Sequence, residues 1–86
     1  MKGKRIVVSI YPFVAFQSIQ IYNDSKLERH IPVHLEDVSK TIFNLCKEEK
    51  IEQVDIKGDK AFTQKIKEEI LINNKFNMLK INIDLH

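Results

Sequence analysis

Hydrophobic and polar positions alternate with period two over the first third of the chain and again near its end. Two stretches between follow the longer period of a helix. In Lys4–Tyr11, Ile6, Val8 and Ile10 alternate with Val7, Ser9 and Tyr11. Both sets are fairly apolar, which predicts a central strand, stopped by Pro12. Val14–Tyr22 predicts a second strand, with Ile19 and Ile21 on one side and Phe16, Ser18, Gln20 and Tyr22 on the other. Asn23-Asp24-Ser25 is a turn cluster. Leu27–Val33 predicts a third strand, with Leu27, Arg29, Ile31 and Val33 opposite Glu28 and His30. Pro32 marks that strand as an edge or a strand end.

The period then changes. Over His34–Lys50, Val38, Ile42, Leu45 and Cys46 recur at helical spacing, with Phe43 beside them. Glu36 and Asp37 fall in the expected first turn and Lys47 and Lys50 near the last, which suits the helix dipole. Ile51–Lys57 reads as a fourth strand, Val54 and Ile56 facing one way and Asp55 and Lys57 the other. Gly58 makes a turn and Asp59 is the expected N-cap of a second helix, Lys60–Ile72, with Phe62, Ile66 and Ile70 four apart. Asn73 and Asn74 end it. Phe76–Leu85 predicts the last strand.

The element order βββαβαβ predicts a two-layer α/β domain with a five-stranded mixed sheet. Right-handed crossovers give sheet order 3-2-1-4-5 and place both helices on one face. Val38, Ile42, Leu45, Phe62, Ile66 and Ile70 are expected to pack on Ile6, Val8, Ile10, Val54 and Ile56. The opposite face stays bare. By parity it carries Val7, Ser9, Tyr11, Phe16, Ser18, Gln20, Tyr22, His30, Asp55, Lys57, Lys80 and Asn82.

Composition narrows the picture modestly. Eighty-six residues make one domain with one modest core. A net charge of +2 is too small to argue for nucleic acid by itself. No apolar run reaches the length of a signal core or a membrane span, so a cytoplasmic protein without membrane contact is expected. Cys46 has no second cysteine to pair with and lies in an apolar helical pattern, as a buried structural thiol would.

Three antiparallel strands followed by helix, strand, helix, strand resemble the core of the ribonuclease H-like superfamily of ribonucleases, resolvases, integrases and transposases. The resemblance covers nearly the whole chain and rests on element order. It implies two-metal phosphodiester chemistry, which needs an Asp within the first strand, an acid near the following helix and an acid at the end of the fourth strand. The first strand, Ile6-Val7-Val8-Ser9-Ile10-Tyr11, has no acid, and Ser9 stands where the Asp belongs. Glu36 or Asp37 would supply the helix acid and Asp55 or Asp59 the strand acid. The enzyme reading is therefore a degenerate nuclease with Glu36, Asp55 and Asp59 around Mg²⁺ or Mn²⁺. The preferred reading is a member without activity or cofactor.

Other constellations are thinner. Gly58 between Asp55 and Asp59 lacks the second Gly and the Lys-Ser/Thr pair of a phosphate loop. His30 and His34 flank Pro32. In a strand they lie roughly 13 Å apart, too far for one ion, so no metal site is assigned. The bare sheet face carries the function expected here: a small non-enzymatic interaction or accessory protein, a homodimer or a binder of a protein partner, through Tyr11, Phe16, Tyr22, Lys57 and Lys80. Small accessory proteins of phages and mobile elements often have this size. Nucleic-acid binding by Tyr11, Tyr22, Lys57 and Lys80 is the alternative.

Overall fold

The computed structural model describes residues 3–75 and 78–86. It is an α/β fold with a five-stranded mixed sheet and two helices. The strands are β1 (Lys4–Ile10), β2 (Phe16–Asn23), β3 (Lys26–His34), β4 (Ile51–Gly58) and β5 (Asn82–Leu85). The helices are α1 (Val38–Glu49) and α2 (Lys60–Asn73), and a 3-10 turn at Leu35–Asp37 precedes α1. The sheet order is β3-β2-β1-β4-β5. β1–β2 and β2–β3 pair antiparallel, while β1–β4 and β4–β5 pair parallel.

One face of the sheet holds the core. Ile6, Val8 and Ile10 of β1, Ile19 and Ile21 of β2, Val54 and Ile56 of β4 and Ile83 of β5 pack with Val38, Ile42, Leu45 and Cys46 of α1 and Ile66 and Ile70 of α2. Phe62 is partly buried against this cluster. Each such side chain contributes about 1.5–3 kcal/mol by leaving water. Ser39 Oγ donates to Glu69 Oε1 at 3.1 Å, a polar tie between the two helices. Among the described residues no helix covers the opposite face.

Several boundaries differ from the sequence reading, each for a local reason. β1 ends at Ile10 and β2 begins at Phe16, so Tyr11, Val14 and Ala15 lie in the connection. Tyr11 N–H and C=O are both taken by the Gln17 side chain, which removes them from the ladder. β3 runs on to His34, and Glu36 and Asp37 sit in the 3-10 turn ahead of α1. At the other end of α1, Lys50 is outside the helix, in the left-handed conformation at φ 54° that ends it. The β2–β3 register shifts between Ile21 and Tyr22, so Ile21 pairs with Arg29 but Tyr22 with Leu27. That bulge removes Leu27 from the face of Arg29, Ile31 and Val33.

β5 is the largest departure. It begins at Asn82, and Lys80 precedes it outside the sheet. Phe76 and Asn77 lie outside the described residues. Asn74 Nδ2 donates to Leu79 C=O at 2.7 Å and Leu79 N–H donates to Asn74 Oδ1 at 3.0 Å. This side chain imitates a strand partner and holds the approach to β5 against the end of α2.

Gly58 closes β4 against β1. Its φ is +114°, and a Cβ there would lie 2.3 Å from Ile10 C=O. Asp59 then caps α2, its Oδ1 accepting from Phe62 N–H at 3.1 Å.

Candidate interaction surface

Ladder register sorts the open face into rows. Arg5, Tyr22, Leu27, Gln53 and Asn82 form one, and Val7, Gln20, His30, Asp55 and Asp84 the next. Ser9, Ser18, Pro32 and Lys57 follow, and Phe16 and His34 close the face beside the β1–β2 connection.

The half nearest β5 is a polar mesh. Gln53 Nε2 donates to Asp55 Oδ1 at 2.9 Å and to Asp84 Oδ2 at 2.8 Å. Asn82 Nδ2 donates to Gln53 Oε1 at 2.7 Å. Arg5 Nε lies 3.7 Å from Asp55 Oδ2, and His86 Nε2 lies 3.3 Å from Asp55 Oδ1. The Arg5 guanidinium sits 5.5 Å from the centre of the Tyr22 ring. The amide and carboxylate groups here already pair with one another, so this half offers a partner few free side-chain amides.

The far end is different. Tyr11 is 50% exposed, Phe13 84%, Val14 41% and Phe16 55%, all within the six residues from Tyr11 to the start of β2. A buried side chain of β2 holds this segment. Gln17 points to the core side of β2 and is 2% exposed. Its Oε1 accepts from Tyr11 N–H at 2.7 Å, and its Nε2 donates to Tyr11 C=O at 2.9 Å and to Val14 C=O at 3.2 Å. Val14 N–H donates to Tyr11 C=O at 3.1 Å, closing a turn. The Tyr11 and Phe13 ring centres are 6.1 Å apart, and those of Phe16 and His34 4.4 Å. The result is an aromatic turn fixed by hydrogen bonds to one buried side chain.

Behind that turn lies a cleft of 460 Å³. Ala15, Leu35, Phe62 and Ile66 give it an apolar lining, and Glu36, Lys65 and Glu69 charge its rim. His34 also lines it, so turn and cleft are continuous through Ala15 and His34.

The five residues assigned to an interaction face do not form one site. Tyr11 and Phe16 stand together at the aromatic end. Lys57 pairs with Ser9 one row away, Tyr22 lies at the opposite end under Arg5, and Lys80 is off the sheet. Phe13 and Gln17 are the additions. Phe13 sits in a turn, where periodicity says nothing about direction. Gln17 occupies a core-side position in an apolar alternation, and that misfit was its only signal.

The carboxylates of the nuclease reading are dispersed as well. Glu36 lies on the cleft rim, Asp55 in the polar mesh and Asp59 at the cap of α2. Among the described residues, no group of three or more His, Cys, Asp or Glu converges in a way that holds a metal ion. Cys46 is buried, and burial pushes its thiol up from 9.0 to about 11, away from nucleophilic use. No helix among the described residues is long and apolar enough to cross a membrane. Comparison with protein-family models and with characterised proteins finds no match to this chain.

Proposed function

We propose that this chain is a small non-enzymatic interaction protein of the cytosol, which works through the aromatic end of its open sheet face by self-association or by binding a protein partner. The Tyr11–Phe16 turn, held by Gln17, carries the reading. At about 200 Å² per aromatic side chain, Tyr11, Phe13 and Phe16 together expose roughly 380 Å². Covering that surface is worth roughly 10 kcal/mol gross, of the same order as the roughly 4–15 kcal/mol lost when two bodies associate. Pinning by Gln17 reduces the ordering cost further. The edge of the sheet is a weaker candidate: β3 presents Pro32 and the charged run Glu28-Arg29-His30, which discourage an added strand.

The ribonuclease H-like reading of the architecture belongs to this proposal and is supported by the element order. The acid-free first strand and the dispersed Glu36, Asp55 and Asp59 argue for a member without Mg²⁺- or Mn²⁺-dependent cleavage. Nucleic-acid binding is disfavoured because Asp55 and Asp84 lie on the open face and Tyr22 is already stacked by Arg5. Solution mass, measured against protein concentration, salt and added single-stranded or branched nucleic acid, tests the choice. The expected result is an apolar association that salt leaves intact and that Tyr11→Glu and Phe16→Glu weaken. A steep loss of nucleic-acid binding with salt would favour phosphate contacts instead. A monomer at high concentration, with both variants leaving all binding intact, would remove the sheet face from consideration.

A further inference from the structure

The exposed turn and the cleft are neighbours, and both are apolar. We infer that the occupant of the cleft is Phe13 of a second copy of this chain, inserted reciprocally, so that each molecule supplies one plug and one socket. The inference rests on the interaction reading above and specifies its partner and its contact.

Four observations carry it. Phe13 is the most exposed large apolar side chain among the described residues, at 84%, and it stands on a turn that Gln17 fixes. The cleft, at 460 Å³, has room for a benzyl group and the backbone beside it, and its lining of Ala15, Leu35, Phe62 and Ile66 is apolar. Plug and socket adjoin: Ala15 lines the cleft two residues from Phe13, and His34 lines it while stacking on Phe16. A twofold contact needs both on the same patch, because each copy uses the same surface. The rim carries both signs, Lys65 with Glu36 and Glu69, so it can face its own copy without a like-charge clash.

Area favours the same answer. The turn aromatics alone expose roughly 380 Å², about half of the ~800 Å² per partner in a stable interface. Adding the cleft lining brings the patch to roughly 500 Å² per partner, or ~1,000 Å² over both, the low end of specific interfaces and one suited to a weak dimer. A flat face-to-face contact between aromatic turns would leave the cleft open and the interface short.

Sedimentation equilibrium on the full chain tests this with wild type, Phe13→Glu and Ala15→Trp, and with Tyr11→Glu and Phe16→Glu as controls for the face. Wild type is expected to show a concentration-dependent dimer in the micromolar to millimolar range. Phe13→Glu removes the plug and leaves the socket, while Ala15→Trp fills the socket and leaves the plug. Both positions are exposed, so both variants fold, and far-ultraviolet circular dichroism checks that. Each variant homodimer loses both reciprocal contacts, two hot-spot side chains, and should weaken self-association by on the order of 1,000-fold. An equimolar mixture of the two regains one plug in one socket, so a heterodimer should form that neither variant forms alone.

The failures separate. If Phe13→Glu and Ala15→Trp dimerise like wild type while Tyr11→Glu and Phe16→Glu do not, the plug is wrong and the sheet-face reading stands. If the single variants weaken association but the mixture regains nothing, the aromatic turns pack on each other and the socket is wrong. A wild-type chain that is monomeric at millimolar concentration overturns the reciprocal contact together with self-association.

Discussion

Replacing Gln17 with Leu tests the element on which the functional proposal depends. The side chain is 2% exposed and makes three hydrogen bonds to the backbone of the β1–β2 connection, at 2.7, 2.9 and 3.2 Å. Leu matches the core face, where Ile19 and Ile21 follow, so the substitution gains apolar contact. It loses all three bonds, each worth about 1 kcal/mol net, and strands Tyr11 N–H and Val14 C=O, while Tyr11 C=O keeps the Val14 N–H. Partial exposure lets water recover some of these groups. The net expectation is a loss of about 2–4 kcal/mol, which for a domain of this size lowers Tm by roughly 10–25 °C. Urea denaturation should show a lower midpoint with the slope unchanged, because the folded chain buries nearly the same surface. Amide exchange at Tyr11 should accelerate beyond the change in global stability, since that N–H loses its own acceptor. A Gln17→Leu protein within about 0.5 kcal/mol of wild type, with Tyr11 exchange unaltered, would refute the claim that this side chain holds the turn.

Three further expectations follow from single contacts. Gly58→Ala puts a Cβ 2.3 Å from Ile10 C=O at φ +114°, and should destabilise by about 3 kcal/mol or more, measured by urea or heat; a neutral result would mean that β4 does not close on β1 as described. Asp59→Ala removes the cap on Phe62 N–H and should lower stability by about 1 kcal/mol, with Asp59→Asn restoring most of it. Burial raises the Cys46 thiol from 9.0 to about 11, so the unfolded chain loses this proton first as pH rises. Its contribution is complete below about pH 9 and falls by about 2–3 kcal/mol toward pH 11. The stability difference between wild type and Cys46→Ala should therefore shrink over that interval, and a constant difference would contradict the assignment.

Period-two alternation made the core faces of β1, β2 and β4 legible, because Ile6, Val8, Ile10, Ile19, Ile21, Val54 and Ile56 each fall on a buried parity. Asp59 was legible as a cap because a carboxylate after Gly and before an apolar helical repeat has few other uses. The bulge at Ile21 and Tyr22 was not, since one unpaired residue leaves no mark on composition and still moves Leu27 to another row. β5 looked longer in sequence because Leu79 and Ile81 continue its alternation, while Asn74 claims the Leu79 backbone from a distance no local pattern reports. The same division holds at the surface. Tyr11 and Phe16 follow from strand parity, whereas Phe13 owes its direction to a turn that a buried glutamine shapes.

The central position of β1 has a consequence for how the chain is made. β1 emerges from the ribosome before β4 and can pair with β2 as soon as β2 follows, but its other edge must wait for β4, whose last residue, Gly58, pairs with Ile10. Synthesis of the intervening stretch of roughly 50 residues takes ~2–10 s at about 5–20 residues per second. Throughout that interval an apolar strand with an unpaired edge is available to other nascent chains, and the side chains of Ile6, Val8 and Ile10 have no helix over them. The meander of β1, β2 and β3 is therefore the segment on which a holding chaperone would act, and slowing translation after Asn23 would lengthen its exposure without altering the finished fold.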